Sequence, residues 1–506
     1  MANESSLIAT ASHKVHIAIP FLMFAPFGLI QWLVFGTDPS IVVMALACVT
    51  IPFLPLHVYG RDLYGVIGII FSFRYVGIPL IAKTFYGQRL EENLFLPYDT
   101  YFMTTVLMVT ETAILFAARA WDNGKTYFNF PLDSLSLQRL AVISCAIGFV
   151  GLVIAASNKS LESGIGNTGP VWLIANYMEL LFLLGLAAQT LCGIIQSNGR
   201  SFVTFRLMLI LVLGLPLVVA LNVREFYLTG LITVAATAFL YNTLRWRHLL
   251  FAALFGYFFL SIFSPITLYL RLMKEGLSMP QYLQLAQDTV VKAASDPSFF
   301  KDLTEAQKNS NFTDVKAWMP YDYYGDRSNV LNRLSFVALL DAVVNGGRTR
   351  EAVGMDAVNE VIRRETPSFL VERDKSLATV GFGDWLSWQV GMSEPGRTYD
   401  ANFGLPMEGY AAWHWAGFLG YPIVLTMLML VLCARVSSFR LSIPGSIFMF
   451  ATIQHDIIEA TSDAFVSVIT RSIPVTALAL FVLYHFFFSA RKSPKGLPTA
   501  AASSAE

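Results

Sequence analysis

Long apolar runs separated by short polar stretches fill most of this chain, and their length is that of membrane helices rather than of core helices in a soluble domain. A helix needs roughly 20 apolar residues to cross about 30 Å of hydrocarbon. On that measure the qualifying segments are residues 15–36, 40–58, 62–84, 98–120, 139–157, 170–194, 202–221, 226–244, 248–270, 411–434, 441–460 and 468–489. The pattern predicts an all-α, polytopic membrane protein with about 12 transmembrane helices. Its expected parts are an N-terminal membrane domain of nine helices (1–270), a loop domain (271–410), three C-terminal membrane helices (411–490) and a tail (491–506).

Between Arg271 and Glu408 the pattern changes: about half of all charged residues fall in roughly a quarter of the chain. The stretches SMPQYLQLAQDTVVKAAS, SNVLNRLSFVALLDAVVN and REAVGMDAVNEVIRRE place apolar residues at helical spacing with charges between them. A folded, mostly helical cap is expected there rather than disorder.

Composition supports the membrane reading. The 506 residues are 55% hydrophobic and 14% charged, more apolar side chain than a soluble core of this size buries. The net formal charge is zero, so neither a nucleic-acid partner nor a solvating acidic tail is indicated. Cys48, Cys145, Cys192 and Cys433 lie in apolar runs without CxxC spacing, and they read as small buried side chains rather than a disulfide frame or metal site. The N-terminal MANESSLIATASHK has no basic n-region and no small-residue cleavage site, so the first apolar run is expected to remain as a helix.

Short-loop cations set the expected orientation. Arg61, Arg119, Lys125, Arg200, Arg245, Arg247, Arg435, Arg440, Arg491, Lys492 and Lys495 mark alternate ends of the segments, which predicts cytoplasmic termini and a long loop on the outer face. Lys83, Arg89, Arg224 and Arg471 break this asymmetry on the loop side.

No Walker loop, HExxH or Ser/His/Asp order stands out, which weakens ATP-driven transport, zinc proteolysis and serine hydrolysis as readings. GFGDW at 381–385 contains a GxG without a preceding strand and reads as a loop turn. The loop-side arginines Arg224, Arg271 and Arg471 are individually compatible with interfacial snorkelling. As a set they are suited to bidentate binding of a diphosphate, with Arg327, Arg333, Arg348 and Arg350 able to join them or to form solvated helix faces.

Arg74, Glu111 and Glu179 fall inside apolar segments and must face protein or water. A structural bridge from Arg74 to Glu111 or Glu179 is one account of them. His455, Asp456, Glu459 and Asp463 cluster near the loop-side end of the eleventh segment, with His455 and Glu459 four apart on one face. A polar lining, a proton relay and a metal pair are the alternatives. Glu408 and His414 flank aromatic residues where the chain re-enters the membrane, either as part of an aromatic belt or as groups able to take a proton from a sugar hydroxyl.

EGYAAWHWAGFLGYP at 408–422, after a large late loop and before a short helical finish, resembles the helix following the large loop in the O-antigen (Wzy-type) repeat-unit polymerases. Where that family has an Asn-Phe or similar pair, this chain has His414-Trp415-Ala416. The resemblance implies a bacterial inner-membrane glycosyltransferase with a periplasmic loop, joining undecaprenyl-diphosphate-linked oligosaccharides without a nucleotide sugar and without a metal or other cofactor. It implies membrane lipids, a flippase and a chain-length regulator as partners. The implied roles are Glu408 or His414 as catalytic base, with Arg224, Arg271, Arg333, Arg471, His455 and Asp456 binding the diphosphate or sugars. An O-antigen ligase and a secondary transporter or oligosaccharide flippase are the alternative classes.

Overall fold

The computed structural model describes residues 14–157, 170–221, 224–248, 279–303, 323–325, 329–366, 380–396 and 403–488, with isolated positions between 250 and 305. Among these residues every regular element is helical, and the one β-type contact is an isolated bridge between Thr126 and Ser437. In chain order the helices are α1 (Ala18–Leu33), α2 (Pro39–Tyr59), α3 (Leu63–Phe85), α4 (Pro97–Trp121), α5 (Ser134–Ser157), α6 (Pro170–Gln196), α7 (Phe205–Leu221) and α8 (Arg224–Leu240). The intervening segment contributes α9 (Met279–Ser295), α10 (Asn329–Leu334), α11 (Phe336–Arg348), α12 (Met355–Glu365) and α13 (Phe382–Gln389). The chain then forms α14 (Gly404–Val436), α15 (Pro444–Ile453) and α16 (Ser462–Phe487).

Seven of the described helices are long and apolar enough to cross a bilayer: α2 to α6, α14 and α16. α1, α7 and α8 are apolar but shorter. Most of the expected segment 248–270 lies outside the described residues. The expected span 441–460 is helical from Pro444 to Glu459. It comprises the ten-residue α15, a loosened turn at Gln454–His455 whose dihedrals stay right-handed helical, and one further helical turn, Asp456–Glu459. At about 1.5 Å per residue α15 alone is about 15 Å long, half the hydrocarbon thickness. GFGDW also differs from expectation: Gly381 precedes α13 and the remaining residues open that helix.

Local chemistry accounts for the boundaries. Pro39 and Pro97 stand at first helical positions, where a missing N–H costs nothing. Asp38 and Asp62 cap the helices they precede, accepting from Ser40 N (2.7 Å) and Gly65 N (3.0 Å). α5 and α6 pack closely because Gly148, Gly151 and Gly185 leave no room for a Cβ against the facing helix.

The cations expected at one end of the bundle meet there. Arg119 binds Asp62 at 2.5 Å, Arg61 donates to Asn242 at 2.7 Å, and Arg440 donates to the Asp122 carbonyl at 3.1 Å. At the other end lie the α3–α4 connection and the loop segment. Gln88 donates to the Tyr324 carbonyl at 2.9 Å, and Lys83 is fully buried 4.1 Å from the Tyr323 ring while donating to the Glu92 carbonyl. Burial against aromatic rings explains one exception to the charge asymmetry without a ligand.

α11 is more deeply placed than a solvated cap helix. Phe336 through Ala338 and Leu340 through Val344 are all buried, against α4, α14 and the middle of α3. Asp341 accepts from Phe95 N (2.7 Å), Leu96 N (2.8 Å) and Thr100 Oγ1 (2.8 Å), so a residue of α11 ties down the backbone leading into α4 and a hydroxyl of its first turn. Burial pushes its carboxyl above the usual range, against the pull of these three donors. Asp341→Ala is expected to cost about 1–3 kcal/mol, because buried N–H groups lose their acceptor. Asp341→Asn should cost less; thermal unfolding of the purified protein, followed by tryptophan fluorescence, orders the two.

α14 is broken at Trp413 (φ −142°, ψ 30°) and His414 (φ 48°, ψ −133°), and the part from Gly404 to Ala412 folds back on the part from Trp415 onward. Gly409 and Gly417 touch backbone to backbone, and a Cβ on either would overlap the other's carbonyl oxygen. Gly409→Ala is expected to lower stability by about 1–3 kcal/mol through overpacking. Gly420→Ala, whose added methyl meets open space, is the control and should unfold close to the parent temperature.

Candidate functional site

Three irregular segments meet on the side where the loop helices dock: the break in α14, the loosened turn after α15, and a π-helical turn at Phe73–Gly77 inside α3. A second π-helical turn, Val468–Ser472, carries Arg471 in α16. Such turns expose backbone groups and reorient side chains, and they are frequent at functional sites.

Arg74 sits on the first π turn, about halfway along α3. Its guanidinium pairs with Glu459 and lies 5.0 Å from the Phe336 ring, and both members of the pair are 17% exposed. The bridge expected to Glu111 or Glu179 is thus made to Glu459. His455 Nδ1 stands 3.7 Å from the same Glu459 oxygen, as the four-residue spacing implies. Asp456 follows His455 at the same turn. Arg74, Glu459 and His455 therefore form a chain of ionisable groups between the middle of α3 and the turn after α15, the arrangement that makes charge tolerable within a membrane.

Glu408 is fully buried and accepts from Ser462 N at 2.6 Å and from the Ser462 hydroxyl. It caps the N-terminus of α16 across the chain, accepting from the first amide of that helix. His414 is half-buried, with its ring 5.4 Å from that of Tyr410 in an edge-to-face contact, and it makes no hydrogen bond among the described residues. Arg471 is half-exposed and pairs with Glu365 of α12 at 3.3 Å.

Arg271, the remaining expected cation at the start of the loop, lies outside the described residues, as do the side chains of Arg224, at the start of α8, and Arg333, in α10. Among the loop arginines, Arg348 binds Asp99, and Arg350 donates to the carbonyls of Trp388 (3.1 Å) and Gln389 (3.0 Å). No group of three His, Cys, Asp or Glu side chains stands close enough to hold a metal among the described residues.

From the sequence, Arg74 reads as structural and Asp341 goes unnoticed. The signal for Arg74 is an arginine in the middle of an otherwise apolar run. The signal for Asp341 is a lone carboxylate in FVALLDAVV. Glu111 belongs with them: it is buried in α4, and its Oε2 has no hydrogen-bond partner among the described residues.

Arrangements of this kind can hold an anionic headgroup against guanidinium groups or relay a proton between a carboxylate and an imidazole. A scan against protein-family models gave no match, and searches of curated proteins and of solved structures gave none either. The molecule defines itself as an all-helical protein with several long apolar helices of membrane-spanning type.

Proposed function

We propose that the chain polymerises undecaprenyl-diphosphate-linked oligosaccharide repeat units into a surface polysaccharide, by glycosyl transfer on the periplasmic side of the bacterial inner membrane. The observation that carries this reading is the meeting of irregular membrane helices with loop helices around Arg74, Glu459, His455, Arg471 and Glu408. A lipid diphosphate leaving group develops negative charge as the anomeric bond breaks, and preorganised guanidinium groups stabilise that charge without reorganisation. Arg471 is half-exposed on the loop side, with Arg271 the expected second cation. The acceptor hydroxyl loses its proton to a base. Both Glu408 oxygens are engaged by Ser462, whereas the His414 ring carries no hydrogen bond among the described residues, which supports His414 as that base.

A second reading is favoured by the helix irregularities themselves. Transporters build substrate sites from discontinuous helices near the bilayer midplane, and Arg74 lies about halfway along α3. Deletion followed by gel analysis of surface polysaccharide separates the classes. Loss of a polymerase leaves single repeat units, loss of a ligase strands polymer on the carrier, and loss of a transporter traps units on the cytoplasmic face. Arg471→Ala and Arg271→Ala are expected to abolish polymer at unchanged membrane levels; normal polymer in both would remove the diphosphate clamp.

A further inference from the structure

α12 and α13 face each other across an open cleft of about 550 Å3 with a mostly polar lining. Helices in contact ordinarily meet through an apolar seam. Here α12 contributes Asp356, Asn359, Glu360 and Arg363, a spacing of three and four that puts all of them on one face. α13 contributes Trp385 and Gln389, four apart. Glu351, just before α12, adds a further carboxylate to the lining.

The α12 wall is held in place. Arg363 binds Glu360 with two hydrogen bonds, Nε to Oε2 at 2.9 Å and a terminal nitrogen to Oε1 at 2.7 Å, and Arg364 adds a third at 2.7 Å. Burial works to raise the Glu360 carboxyl, but the hydrogen bonds and charge of the two arginines outweigh it and hold the group below its usual range. Trp385 is fixed by stacking on Phe382, with ring centroids 5.6 Å apart. The wall is also tied to the broken helix of the candidate site. Val353 N and Gly354 N donate to the carbonyls of Ala411 (3.0 Å) and Ala412 (2.8 Å), at the end of the segment that leads into His414.

The lining selects a ligand class by exclusion. An anion would meet Glu351 and Asp356 as well as Glu360, and a metal ion lacks a cluster of suitably placed ligands among the described residues. An apolar ligand would find few apolar partners in this exposed, mostly polar lining. A sugar ring suits it better. Its hydroxyls donate to the carboxylates and accept from Gln389, Asn359 and Arg363, while its apolar C–H face lies on an indole.

We propose that the cleft between α12 and α13 is a saccharide-binding subsite, with Trp385 as its stacking platform and Asp356 and Gln389 as hydrogen-bonding partners. The identity of its natural occupant, a sugar of the lipid-linked oligosaccharide, rests on the proposed polymerase function; sugar binding itself does not.

The test uses the full chain in lipid nanodiscs free of glycoside detergents. Saturation-transfer NMR is recorded with maltotriose, cellotriose and triacetylchitotriose as probes. At least one probe is expected to bind with millimolar affinity, and Trp385→Ala and Gln389→Ala should each weaken it by about tenfold or more. Gln389→Ala removes an exposed side chain and covers the case in which Trp385→Ala unfolds. The proposal is overturned if none of the three probes binds, or if binding survives both substitutions unchanged. Binding alongside normal polymer in a deletion strain would uphold the subsite and remove the polymerase reading. Loss of polymer on deletion, without sugar binding, would remove the subsite alone.

Discussion

Arg74→Ala is expected to cost about 3–5 kcal/mol of stability, the usual penalty for stranding the surviving member of a buried ion pair. Both partners are only 17% exposed, and Phe336 stacks near the guanidinium, so water cannot readily replace the lost charge around Glu459. Glu459→Ala is also expected to destabilise, and the double variant should cost clearly less than the sum of the two, because the coupling between the pair is then lost only once. Thermal unfolding in nanodiscs measures all three. If Arg74→Ala melts with the parent, the pair is not a structural bridge. The paired substitution of Arg74→Met with Glu459→Leu goes further, since apolar replacement of a buried pair is often neutral or stabilising. A stable Met/Leu protein without polymerising activity would assign these charges to function rather than to folding.

Glu408→Ala is the second large effect expected, about 2–4 kcal/mol, from the loss of two buried hydrogen bonds and exposure of a helix end to an apolar interior. Ser462→Ala removes only the hydroxyl bond and should cost about 1–2 kcal/mol, since the backbone N–H keeps its acceptor. Glu408→Gln keeps an acceptor oxygen and should fall between them. This series, read as melting temperature beside polymer length, separates two roles of one carboxylate. If Glu408→Gln keeps its melting temperature and loses polymer, the group takes a proton. If polymer falls only in step with stability, Glu408 is a capping group, and His414 is left as the proposed base.

The helices were legible because apolar runs of membrane length carry a strong signal; the ends of α2, α3 and α4 fall within a residue or so of the expected positions. The break in α14 was not legible. Trp413-His414 contains neither glycine nor proline, so nothing in the local sequence disfavours continuing the helix there. The break is imposed instead by packing, through the backbone contact of Gly409 with Gly417 and the hydrogen bonds from Val353 and Gly354. The pairing of Arg74 was hidden for a different reason. Its partner lies 385 positions away, and other carboxylates stand nearer along the chain. Of the proposed ligands, proximity along the chain predicted only the His455–Glu459 contact, which helical spacing alone determines.

The two carboxylates that tie down helix starts across the chain bear on how the molecule is made. α4 is synthesised early, yet the acceptor for the amides that lead into it, those of Phe95 and Leu96, is Asp341, 246 and 245 positions further on. During translation that helix must reach the bilayer with its leading amides still hydrated or bound elsewhere. A nascent chain halted before Asp341 therefore holds an unfinished bundle, and the late segment acts as a latch that closes helices laid down long before it.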